Sequence, residues 1–317
     1  MGKMEDIVVE YLSDPNVFAA LFNGYVFDGE PVIHAEDLRE VDGRSRLQIR
    51  SQGEKSTYEV LKKERDIVRE VTIGESTLRL AILGIEHQSE IDHSMVLRTL
   101  AYDTLEYLKQ AKAIEQKHRK NKDVRGKDFL SKFTVEDRLT PTITLIFYTG
   151  REKWDAAREL TGLFPDSEYT KKMLPFLGNW TLNVISVYDV EHTEKYTGSL
   201  RQVFDLLKYV DDGKGMLSFV EQHDEKYTHL DKAAMRLLSE LIDLELPEKA
   251  EREEEVEEGM CKALEDIRAL GREEGIAQEI VEFAKELDWS TEQTLQRLQE
   301  KLHISPEAAW EYLNQYQ

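Results

Sequence analysis

Three residues of this chain have the types and spacing to do hydrolytic chemistry: Asp66, Glu86 and Gln88. Two β-rich stretches lie between the acids, over 67–73 and 78–85, and Gly74 marks a turn between them. An antiparallel hairpin centred near residue 76 sets Asp66 opposite Glu86. Directly opposed residues have Cβ atoms roughly 4.5–5.5 Å apart, close enough for two carboxylates to share one divalent cation. Glu86 and Gln88 are i, i+2 on a strand and face the same side. An acid–acid–amide group of this kind can activate water for attack on a phosphodiester. Charged residues near strand ends are commonly just solvated, but the context here differs. Glu86 and Gln88 follow Leu80-Ala81-Ile82-Leu83-Gly84-Ile85, an apolar run that reads as a strand buried on both faces. Polar groups at the end of such a strand need partners, and a metal would be one.

The elements that must hold these residues are partly legible. Residues 6–23 read as helix, interrupted at Asp14-Pro15, with Asp14 as N-cap and Pro15 at the first helical position. Residues 35–63 are polar and mixed and read as a short helix plus loop. Residues 94–110 read as an amphipathic helix with Leu97, Leu100, Ala101, Leu105 and Leu108 on one face. Arg98 and Tyr102 form an i, i+4 pair near its start, in reach of a phosphate or simply neighbours on the helix surface. Strands are expected over 142–148 and 182–190, and helices over 152–163, 197–211 and 227–246. The order of elements implies an α/β fold with a small central mixed sheet flanked by helices.

Composition sets further bounds. The chain has 317 residues and a net charge of −21, which at first sight opposes nucleic acid as a ligand. From Glu240 to Gln317 there are 22 acidic and 8 basic residues, so residues 1–239 carry only −7. Within them, 109–132 holds nine Lys/Arg against three acids, including Lys117, Arg119, Lys120, Lys122 and Arg125. This run reads either as a grip on the DNA backbone or as a solvated helix end. No apolar run approaches the roughly 20 residues of a membrane span, and Met1–Asp6 has no signal-peptide core. Cys261 is the only cysteine, which excludes intrachain disulfides and cysteine zinc clusters and fits a reducing cytoplasm. No membrane partner and no nucleotide cofactor are expected, because no phosphate-binding Gly-x-x-x-x-Gly-Lys motif is present. After Pro247 the composition changes. Residues 248–258 hold seven Glu, and Ser290 and Ser305 each read as the N-cap of a short helix. Two regions follow: a domain over 1–246, and an acidic linker with a helical C-terminal region over 247–317.

Phe22-Asn23-Gly24, Glu64-Arg65-Asp66, Leu83-Gly84-Ile85-Glu86-His87-Gln88, Arg98, Tyr102-Asp103 and the run from Pro141 to Gly150 together resemble the recombination-promoting nuclease (Rpn) family of transposase-like proteins. That family lies within the PD-(D/E)XK nuclease superfamily, and the resemblance covers about residues 12–210. It implies a restriction-endonuclease-like core and Mg²⁺-dependent DNA cleavage, with Mn²⁺ able to substitute. Carried over by position, Asp66 is the metal-binding Asp, Glu86 the acid of the ExK motif and Gln88 stands where its Lys would be. The backbone carbonyl of His87 would complete the protein's share of the metal ligands. A neutral amide at 88 cannot serve as a cation or base, although it can orient a water. Lys62, Lys63 or Arg65 would then supply positive charge, and the first helix offers Asn23 where the superfamily often has an acid. His87 itself points away from Glu86 and Gln88 and reads as a core histidine. A second active site for the other DNA strand makes a homodimer the expected assembly. Two other readings stay open: a weak or inactive nuclease-fold regulator that binds DNA or protein, and an adaptor whose C-terminal helices are the working surface.

Overall fold

The computed structural model describes residues 3–41, 44–50, 58–72, 79–124, 132–223, 227, 230–242, 275–285, 287 and 289–316; over 44–50, 58–64, 79–80, 213–214, 217 and 221 only the backbone is described. The acidic run 248–258, the expected boundary at 246/247, the turn at Gly74 and Arg125 all lie outside the described residues. The chain divides into two compact units, Met1–Arg201 and Gln202–Gln317.

The first unit is α/β. It opens with α1 (Lys3–Leu12) and α2 (Pro15–Val26), separated as expected at Asp14. The Asp14 carboxylate accepts from Asn16 N at 2.7 Å and Val17 N at 3.3 Å, capping two otherwise orphaned amides. Seven strands follow among the described residues: β1 (Leu38–Glu40), β2 (Arg44–Arg50), β3 (Tyr58–Glu64), β4 (Ile67–Thr72), β5 (Arg79–Gln88), β6 (Thr142–Tyr148) and β7 (Asn183–Ser186). The main sheet has the order β1-β4-β5-β6-β7, and β2 and β3 pair separately. β1, β4 and β5 are antiparallel, whereas β5, β6 and β7 are parallel. The sheet is therefore mixed, and its helices cover a core of restriction-endonuclease-like type.

The parallel half requires a crossover, and α3 (Met95–Asn121) supplies it between β5 and β6. α3 packs with a phase different from the one its leucines imply. Leu97 is 49% exposed and Leu108 48% exposed, while Met95, Val96, Thr99, Tyr102, Asp103, Leu105, Glu106 and Gln110 are buried. The sheet offers polar partners on this face, so a half-polar stripe goes inward and two leucines stay in water.

Four further expectations are corrected. Residues 35–63 hold a short 3₁₀ turn, β1 and the β2–β3 hairpin instead of a helix and loop. In the sequence their alternation is interrupted by charged residues. Residues 152–159 are not helical; only a 3₁₀ turn at Leu160–Leu163 forms. There Trp154 and Ala156 turn into a cluster with Met95, Val96, Ile146 and Tyr148, and an extended path delivers both. β7 ends at Ser186, and only residues 232–241 of the long helix expected over 227–246 form a described helix, beginning at the Asp231 cap.

In the second unit, the helix Thr291–Leu302 starts at Ser290 with a full capping box, and the helix Pro306–Tyr316 starts after Ser305. These two and the helical residues 275–285 enclose Ala277, Val281, Leu298, Leu302, Ala309 and Leu313. Among the described residues no helix is long and apolar enough to cross a membrane.

Candidate active site

The β4–β5 register carries the acids together. Ile67 pairs with Ile85 and Val68 with Gly84, which continues to Asp66 against Glu86. Asp66 sits at the bend just before β4 and is exposed, and its Oδ2 accepts the His87 amide at 2.8 Å. Glu86 lies two residues from the end of β5 and is only 4% exposed. Its Oε1 accepts from Tyr102 Oη at 3.0 Å and from Arg98 Nη2. Its Oε2 is buried without a hydrogen-bond partner. Burial, and then the negative charge of Asp66, push the Glu86 carboxyl up to about 7; the Arg98 guanidinium and the Tyr102 hydroxyl act in the opposite direction. Burial and the adjacent Glu86 charge push the Tyr102 phenol up to about 12, so it stays a donor.

Arg98 bridges two acids. Besides Glu86 it binds Asp92 Oδ2 through Nη1 at 3.0 Å. Asp92 in turn accepts from Ser94 N at 2.8 Å and Ser94 Oγ at 2.7 Å, fixing the entry to α3. Burial alone would raise Asp92, but the hydrogen bonds from Ser94 and Arg98 outweigh it and hold the carboxyl low.

Behind the acids lies a second polar group, of which the sequence alone offers only Arg65 as a site residue. Arg65 crosses β5 at Gly84, bonds Thr144 Oγ1 at 3.1 Å and pairs with Asp103 Oδ1 at 3.4 Å. Thr144 Oγ1 donates to the same Asp103 oxygen at 2.6 Å. All three are buried. Burial pushes Asp103 up to about 6, against the pull of Thr144 and Arg65. The signal for this group was the polar stripe Thr99, Tyr102, Asp103, Glu106, Gln110, with helical spacing on one face of α3. Gly84 is required by close approach: a Cβ there would lie 2.8 Å from Arg65 Cδ and 3.0 Å from Nη1. Gly84→Ala is therefore expected to lower stability by about 1–3 kcal/mol, read as a lower midpoint in urea with an unchanged slope.

The remaining candidates are not all gathered here. Gln88 is half-buried, and its Nε2 donates to the His87 carbonyl at 2.7 Å, the oxygen expected to face a metal. His87 is buried and its Nε2 contacts Thr149 Oγ1 at 2.8 Å; burial holds its pKa down, so the ring is neutral and plays a core role. Asn23 clamps both backbone polar groups of Ile33, at 2.8 and 2.9 Å, and offers no ligand. Arg65 is committed to Asp103. Lys117, Arg119 and Lys120 ride the far end of α3, nineteen or more residues beyond Arg98, which at 1.5 Å per residue is about 28 Å away. Lys122 is the left-handed C-cap of that helix. Cations there also complement the helix dipole.

The donor set fits a hard cation in one respect and is sparse in another. The protein provides carboxylate oxygens and an orphaned buried acceptor, Glu86 Oε2. Among the described residues no group of three or more His, Cys, Asp or Glu is arranged to hold a metal. Magnesium keeps several waters and is commonly bound by one or two carboxylates plus substrate phosphates, so two acids meet its needs.

Comparison with curated proteins gives no match, and neither does comparison with solved structures. The model of the family described as "Putative transposase, YhgA-like" matches residues 66–237. That span begins at Asp66, includes both acids, Tyr102, Asp103 and Thr144 but not Arg65, and covers 172 of the 317 residues, so the chain belongs to this YhgA-like transposase family.

Proposed function

We propose that the chain is a Mg²⁺-dependent DNA endonuclease that hydrolyses phosphodiester bonds in the reducing cytoplasm. The observation that carries this reading is Glu86 Oε2, a buried carboxylate oxygen with no partner, beside a second carboxylate that raises its pKa. Leaving such an oxygen unpaired is costly, and a divalent cation would relieve it. Asp66 and Glu86 would hold the ion. Bound there, it would polarise the scissile phosphate and lower the pKa of the attacking water. Asp66 is exposed and would face the substrate, while Tyr102 and Asp92 fix the Glu86 carboxylate and the Arg98 guanidinium. Arg98 is the cation nearest the acids and would turn from Glu86 to a phosphate oxygen once the metal neutralises Glu86. Gln88 would leave the His87 carbonyl to orient water. Lys117, Arg119, Lys120 and Lys122 would grip the duplex some 28 Å along α3, a distance spanning about eight base pairs at 3.4 Å per step. Membership of a transposase-type family accords with a protein that cuts DNA.

The contacts of Gln88 and Arg98 also favour a second reading, a weak or inactive nuclease fold that binds DNA or protein. Arg98 already neutralises Glu86, and Gln88 already occupies the His87 carbonyl. Plasmid nicking with Mg²⁺ separates the two. The wild type is expected to nick, and Glu86→Ala and Asp66→Ala each to fall by at least ~100-fold, as for loss of a metal-held charge centre. Equal nicking by all three proteins would end the endonuclease reading. No nicking, with no thermal shift on adding Mg²⁺ or Mn²⁺, would establish the second.

A further inference from the structure

Between β6 and β7 the chain leaves the sheet as an arm. Its base is tied by a bridge between Glu159 and Thr181, by Leu160 N to Trp180 O at 2.9 Å and by Leu182 N to Arg158 O at 2.7 Å. The root is anchored: Leu160 and Trp180 pack on the cluster that contains Met95 and Val96. Beyond it, residues 162–181 are exposed except for Ser167, Thr170 and Trp180. The arm is nevertheless ordered. It contains a short helix, α4 (Glu168–Met173), capped by Ser167 Oγ accepting from Thr170 N at 3.0 Å, and Pro165 and Pro175 stiffen its turns. Ordering some twenty residues without burying them goes unrewarded within the molecule.

What the arm exposes is apolar. Phe176 is 88% and Tyr169 80% exposed, with Met173 at 52%, Leu177 at 41%, and Phe164 and Leu174 at 36% each. At about 150–250 Å² per aromatic side chain, these six residues put roughly 600 Å² of mostly apolar side-chain surface in water, at the top of the range for the largest patch of an isolated monomer. A standard protein interface buries about 800 Å² per partner, of which roughly 60% is apolar, so the arm alone meets that requirement. Charge selects the partner. Residues 159–181 carry three acids and two lysines, a net of −1 in a chain of −21. Duplex DNA would release few counterions against such a surface. A second copy of this chain is repelled by most of its own kind, but not here. Both signs are present on the arm, with Lys171 paired to Asp166 at 2.8 Å while both side chains remain largely exposed. Two copies related by a two-fold axis can set these lysines against Asp166 and Glu168 of the other.

We infer that the arm over 159–181 is the surface through which two copies of this chain associate, Phe176 and Tyr169 being its central contacts. The inference is independent of whether Asp66 and Glu86 cleave DNA. Sedimentation of the full chain across a micromolar concentration series tests it. The wild type is expected to run as a dimer. Tyr169→Glu and Phe176→Glu, separately and together, are expected to weaken the dimer at least ~100-fold, as central hot-spot residues do, and to melt where the wild type melts once it is diluted to monomer. A wild type that stays monomeric overturns the inference, as does a double variant that remains dimeric. A double variant that melts several degrees below the diluted, monomeric wild type also overturns it, because the arm would then pack on its own chain. Loss of duplex binding by the variants of a monomeric wild type would reassign the arm to DNA and equally overturn it.

Discussion

Glu86→Gln is expected to make the metal-free protein more stable at pH 8 while removing nicking. The carboxyl of Glu86 is buried, and desolvation together with Asp66 raises it from 4.5 to about 7. A group raised on folding contributes stability that is full below its unfolded pKa and is lost as pH rises through its folded pKa. The wild type therefore loses stability between about pH 4.5 and pH 7 from this group, and Asp103, raised from 3.8 to about 6, adds a loss of the same sign over a lower window. At about 1.4 kcal/mol per pKa unit, the Glu86 contribution is at most about 3 kcal/mol. The amide in Glu86→Gln keeps an acceptor for Tyr102 and Arg98 and removes the like charge facing Asp66. In chelator, the variant should gain about 1–2 kcal/mol at pH 8, a rise of about 2–4 °C per kcal/mol for a domain of this size. At pH 5 the two proteins should coincide. Thermal melts with EDTA at the two pH values check this. A variant less stable than wild type at pH 8 would mean that Arg98 stabilises the carboxylate more than burial penalises it. A site residue whose loss stabilises the fold is maintained for its chemistry.

How much of this site was readable follows from where its residues sit relative to regular periodicity. The Asp66–Glu86 pairing was legible because an antiparallel pair fixes its register by one centre, and β4 and β5 keep that centre from Ile67 to Val71. The Asp14 cap and the apolar β6 were legible because their signals are local. The phase of α3 was not. Its leucines marked one face, but Thr144, Glu86 and Arg65 on the sheet needed polar partners, and satisfying buried polar groups outranks burying two more leucines. β2 and β3 were missed because their pairing, Leu47 to Leu61 and Ile49 to Glu59, is carried by alternation weakened by charges. The Arg65–Asp103–Thr144 group joins residues 38 and 79 positions apart, and no local rule connects them; only the polar stripe on α3 pointed there.

That buried group carries the largest expected effect on stability. Arg65 and Asp103 are, at the side chain, 1% and 3% exposed. Removing one partner of a buried pair leaves an uncompensated charge and costs about 3–5 kcal/mol, whereas replacing both by apolar side chains is often neutral. Arg65→Ala should therefore destabilise the protein by about 3–5 kcal/mol. The loss should be larger at pH 8 than at pH 5, because without the guanidinium Asp103 titrates above about 6 and is neutral in acid. Arg65→Met combined with Asp103→Leu should recover most of the stability, giving a coupling energy of about 2–3 kcal/mol in a double-mutant cycle. Urea titration of the four proteins at both pH values measures it. A full-size loss that neither depends on pH nor recovers in the double variant would assign the role of Arg65 to its aliphatic stem packed over Gly84 and not to its charge. The distinction bears on the site, because the same guanidinium also lowers the Glu86 carboxyl. If the charge matters, the rescued double variant should be stable yet impaired in nicking, its Glu86 raised further and less ready to take up a metal. If only the stem matters, the rescued protein should nick as the wild type does.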